Sequence, residues 1–131
     1  MKVILRALLA ILCITGVAWA GSYLDRTTLL INESHRAGAF LRQRANDREL
    51  ARVVQKAAEA RLDAAQKMSV PKEVVLAHPH VLIVLEHHER AAAAAAEGDT
   101  QRLLIHELKA DEEERVLRSV LEQLGWAIAK P

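Results

Sequence analysis

Five of the six histidines, His78, His80, His87, His88 and His106, fall between positions 78 and 106, with carboxylates among them. Imidazole nitrogens and carboxylate oxygens together suit Zn, Ni or Cu(II). His80, Val84 and His88 recur at four-residue steps and so share one helical face, while Glu86 and Glu89 flank the His87-His88 pair. If the chain reverses at Gly98-Asp99, residue i of an antiparallel hairpin lies opposite roughly residue 197 minus i. His106 is then expected near Ala91 and Asp111 near Glu86, with His88 a turn or two from His106. The candidate metal ligands are therefore His87, His88, His106 and Glu86. No Glu-x-x-His pair of the di-iron kind and no His-Glu-x-x-His motif accompanies them. The competing reading has exposed residues in ordinary ion pairs, such as Glu86 with Arg90, and adjacent histidines titrating near neutral pH. A thin hairpin offers little concavity for acid–base chemistry, so no enzymatic activity and no catalytic residue are expected.

The elements that must position these groups are helical. Alanine, with 23 of 131 residues, has the highest helix propensity, and Phe, Tyr and Trp number only four. An all-α fold with long, thinly packed helices follows, in spite of a hydrophobic share of 51%. Residues 69–131 read as a helical hairpin domain. Ser69 and Pro71 mark a restart, and His78-Pro79 interrupts the chain so that Pro79 opens a helix running to Glu97. Val81–Leu85 has strand propensity, but the six alanines at 91–96 argue for helix throughout. Gly98 then supplies the left-handed turn, Asp99 or Thr100 caps the next helix, and that helix extends to Leu124 ahead of Gly125. Its apolar stripe is Leu103, Ala110, Leu117, Leu121, Leu124 and Ile128, interrupted by Glu107 and Glu114, so the core is weakest at its middle.

Residues 23–68 contain no proline and only Gly38, which predicts one nearly continuous helical arm with a possible break at Gly38. Its apolar positions form a narrow, coiled-coil-like seam: Leu24, Thr28, Ile31, Gly38, Leu41 and Ala45, then Leu50, Val54, Ala57, Ala58, Leu62, Ala65 and Met68. A helix with so thin a seam must pack on the rest of the chain, on a second copy or on a partner. Arg44, Arg48, Arg52 and Lys56, spaced by four, predict a basic ridge suited to phospholipid head groups or an acidic partner. The arm carries nine basic residues against six acidic, the hairpin seven against eleven, so the two could pair within or between copies. An overall net charge of +1 argues against nucleic acid.

Residues 1–22 read as a signal peptide or a single transmembrane helix. Lys2 and Arg6 precede or interrupt an apolar block through Leu8, Leu9, Ile11, Leu12, Ile14, Val17 and Trp19, and Ala18-Trp19-Ala20 fits a signal-peptidase site. Ile4 to Tyr23 would equally give a helix of roughly 30 Å, enough to span a bilayer, with Trp19 and Tyr23 at the outer interface. Either way the remainder is exported: inner membrane with a periplasmic C-terminus, or soluble periplasm. The one cysteine, Cys13, excludes an internal disulfide and any Cys-rich zinc site, and Leu12 before it does not suit a lipoprotein.

An anchor followed by a long periplasmic helix loosely resembles the inner-membrane spanins of phages in architecture. An exported helical hairpin bearing His and Glu is similar in outline to periplasmic heavy-metal sensors of the Spy-like kind. The terminal hairpin departs from the spanin pattern and the leucine-threonine repeat motifs of the sensors are absent, so no residue role transfers from either. Expected first is a non-catalytic envelope interaction or assembly subunit, acting with a protein partner or as a homo-oligomer. Expected second is a periplasmic metal sensor or buffer protein loaded with Zn, Ni or Cu, and third a spanin-like protein.

Overall fold

The computed structural model describes the backbone of residues 2–128 and the side chains of residues 20–128. The expected signal peptide or transmembrane span falls, as far as Trp19, on side chains outside the described residues. Among the described residues, no helix is long and apolar enough to cross a membrane. The described chain is all-α: α1 (Lys2–Gln43), α2 (Arg48–Gln66), a 3-10 turn (Lys72–Val74), α3 (His78–Ala96) and α4 (Thr100–Gln123).

The arm is not one helix. It breaks at residues 44–47, not at Gly38, because Asp47 caps α2: its side chain accepts from the Leu50 N–H at 2.9 Å. α2 thereby folds back along α1, and Arg61 Nε donates to Ser34 Oγ at 3.1 Å across the pair. The seam is also re-indexed. Ala20, Leu24, Thr27, Ile31, Ser34 and Leu41 are buried, so Thr27 and not Thr28 occupies the interior.

α3 is the central helix, with α1, α2 and α4 all packed on it. Its alanines explain this. Ala91, Ala92, Ala94 and Ala95 are buried on several sides of the helix, and side chains that small let neighbouring backbones approach closely. α1 runs parallel to α3, with Tyr23 beside His78 and His35 beside His88. The Tyr23 hydroxyl and His78 Nδ1 share a hydrogen bond of 2.8 Å. The α3–α4 hairpin is antiparallel, as its punctuation predicts. Gly98 takes φ 79°, and the Asp99 side chain accepts from the Arg102 N–H at 2.9 Å. The restart differs slightly, since Pro71 precedes only a 3-10 turn and α3 begins at His78 with Pro79 in its first turn.

The apolar core divides in two. The larger part gathers Tyr23, Leu24, Ile31, Val81, Leu85, Leu117 and Leu121; the smaller gathers Leu41, Ala51, Ala92, Ala94, Ala95 and Leu103. Between them on α4 stand Glu107 and Glu114, each only 6% exposed. The two carboxylates that interrupt the stripe are thus part of the interior, and they define a polar layer across the bundle.

Candidate functional site

That polar layer joins three helices. From α4, Glu107 Oε2 accepts from Arg42 Nη1 at 2.9 Å, and Glu107 Oε1 lies 3.1 Å from His88 Nδ1. Gly38 makes room for this group, because a Cβ there would collide with the Glu107 carboxylate. Two turns further along α4, Glu114 Oε2 lies 2.5 Å from His35 Nε2, while Oε1 accepts from Arg118 Nη2 at 2.5 Å and Nε at 3.1 Å. Arg118 also donates to the Ile128 carbonyl at 2.9 Å, fixing the segment after α4. The His35 and His88 rings meet edge to face, with centroids 5.3 Å apart, and so connect the two carboxylates through imidazoles.

The electrostatics follow from these contacts. The hydrogen bond to Glu114 holds the His35 imidazole above its ordinary pKa, against the opposing effect of burial. Burial pushes the Glu114 carboxyl up, but hydrogen bonds from His35 and Arg118 outweigh it and leave the group below its ordinary value. Asp111, exposed and one turn before Glu114, adds its negative charge beside His35. One ligand atom each from His35, Asp111 and Glu114 lies within 4.8 Å of the others.

The expected ligand set His87, His88, His106 and Glu86 is split by the fold. His87 and His106 come together, with stacked rings, centroids 5.5 Å apart and Nδ1 atoms 3.3 Å apart. Burial and then mutual repulsion lower the His87 pKa, and burial with nearby Lys109 lowers that of His106. His88 turns inward to Glu107, and Glu86 pairs with Arg90 on the surface. His106 thus lies opposite His87 instead of Ala91. The Asp99 N–H bonds back to the Ala94 carbonyl at 2.9 Å, so the chain reverses earlier than a turn centred on Gly98-Asp99.

The basic ridge is also divided. Arg44 sits in the α1–α2 turn over the Phe40 ring, 5.4 Å from its centroid, and Arg48 lies over Gly98. Arg52 pairs with Glu49 and Lys56 with Glu59; Arg48, Arg52 and Lys56 keep the four-residue spacing as exposed side chains of α2, the last two lining a surface hollow, and only Arg44 leaves the ridge. Sequence reasoning missed His35 altogether. The signal was present: His35 follows Ile31 by one turn, on the face that carries Gly38 and Arg42, and Glu107 and Glu114 stand a heptad apart inside an apolar stripe. No known protein family, curated protein or solved structure matches this chain.

Proposed function

We propose that this chain is a small, exported, non-catalytic assembly module of the cell envelope, held at the inner membrane by its N-terminal segment and pairing with a second copy of itself. The observation that carries the reading is the outward face of α4. Leu104, Ile105, Leu108 and Val116 are 50%, 43%, 57% and 43% exposed, and at 100° per residue they fall within an arc of about 120°. This is an unpartnered apolar stripe on a helix whose opposite face is already packed. Lys109, Arg115, Asp111 and Glu112 border or interrupt it with both signs of charge, which makes the face complementary to itself.

Tethering is supported at the end of the bundle where α1 enters. Val75 and Leu76 are 51% and 67% exposed there, adjoining Val74 and Ala77, which pack in the same core as Tyr23 and Leu24. The non-catalytic reading is supported by the polar layer itself, whose histidines and carboxylates engage one another and arginines.

Light scattering on the full chain in mild detergent tests the assembly. A dimer is expected, converted to monomer by Leu104→Asp with Leu108→Asp at unchanged helicity. A monodisperse monomer of the unaltered chain at high concentration overturns the reading. Intact mass of the native protein tests the tether separately, since cleavage after Ala20 would leave a soluble periplasmic product.

A further inference from the structure

We infer that His35, Asp111 and Glu114 form a binding site for a divalent transition-metal cation. The inference does not rest on the assembly reading: His35 and Glu114 lie off that face, and Asp111 stands at its border. Asp111 and Glu114 are three residues apart on one helix, so their carboxylates share a face, and α1 brings His35 Nε2 to them. One imidazole with two carboxylates is a donor set that Zn, Ni or Co accepts, and a water completes the tetrahedron zinc prefers.

The second observation concerns His88, whose side chain is 3% exposed. Its Nδ1 faces the Glu107 carboxylate, which can only accept, so Nδ1 carries the proton. Nε2 is buried without a hydrogen-bond partner among the described residues. Held in place by Glu107, this buried ring packs edge to face on His35 and fixes the orientation in which the His35 imidazole reaches the two carboxylates.

Access and support are both present. Asp111 and Glu114, with Arg115 and Arg118, line an open hollow of about 220 Å³, which gives an ion a route from solvent. Arg118 holds Glu114 through Oε1 and leaves Oε2 directed at His35. On loading, the cation takes the place of the proton between His35 Nε2 and Glu114 Oε2, and that proton passes to solvent. Metal–ligand bonds near 2.0–2.1 Å in a tetrahedron require the two atoms to part by about 0.8 Å.

Calorimetric titration of the metal-stripped full chain with Zn²⁺ is the test. One saturable site with Kd below about 100 μM is expected. Asp111→Asn removes an exposed ligand that the fold does not need, and should weaken binding at least about tenfold; His35→Asn should do the same. The double variant His87→Ala, His106→Ala should leave the site intact. Cobalt provides a second readout, through visible bands of the unaltered chain that Asp111→Asn shifts. Absence of saturable binding, binding unchanged in both Asp111→Asn and His35→Asn, or binding lost only in the His87, His106 double variant overturns the inference.

Discussion

A histidine's environment decides its chemistry more than its neighbours in sequence do, and His87 and His88 show this with adjacent residues facing opposite ways. His88 is held inside by Glu107, while His87 meets His106 at the rim. Arg90 and Lys109 disfavour the charged form of the rim pair, whereas Glu86 favours it at His87 and Glu89 at His106. The sign of its pH effect follows from the lowered folded pKa values. Below the unfolded histidine value of about 6.5, the unfolded chain binds more protons than the folded one, so the pair's contribution is complete above that pH and is lost as pH falls through the folded values. Denaturation midpoints of the metal-free full chain, taken from neutral to mildly acidic pH, should therefore fall more steeply for the unaltered chain than for His106→Gln. Equal slopes would show that the pair is not coupled in solution. The approach of His87 and His106 was legible in the sequence through the hairpin; the separate partners of His78, His80 and His88 were not, because they depend on register and on a helix about fifty residues upstream.

At the scale of elements, helix ends decide the topology. Gly98-Asp99 was readable because a left-handed glycine followed by a capping aspartate has one economical interpretation, and the α3–α4 hairpin follows from it. The break at residues 44–47 carries an equally local signal in Asn46-Asp47, yet the helix-favouring residues on both sides read as continuous. The Asp47 cap is what turns an extended arm into a folded-back pair. Asp47→Ala should lower stability by about 1 kcal/mol in urea denaturation, the ordinary cost of a lost N-cap. Because α2 also packs on α3, the variant should keep its helicity and unfold at a lower midpoint, without the change in slope that a partly extended native state would give. A variant as stable as the unaltered chain would place the cause of the break elsewhere.

For the whole molecule, the polar layer divides an already small core into unequal parts. The smaller part is built chiefly from alanines, which bury far less apolar surface per residue than the Leu, Ile, Val and Tyr of the larger one. Hydrogen exchange should report this inequality, with amides near Leu41, Ala51 and Ala94 exchanging faster than those near Val84 and Leu117. Uniform protection across both would mean that the bundle opens only as a unit. Alanine-rich composition pointed to such thin packing, whereas the buried ion pairs that separate the two parts could be read only as flaws in a stripe. The parallel course of α1 and α3 has a further consequence, for biogenesis. A chain made from its N-terminus exposes α1 well before its main packing partner, α3, exists. A seam of leucines left open for that interval would invite aggregation. The small or polar residues Thr27, Ser34 and Gly38 on the face that is later buried let α1 wait in water and still close tightly when its partners arrive.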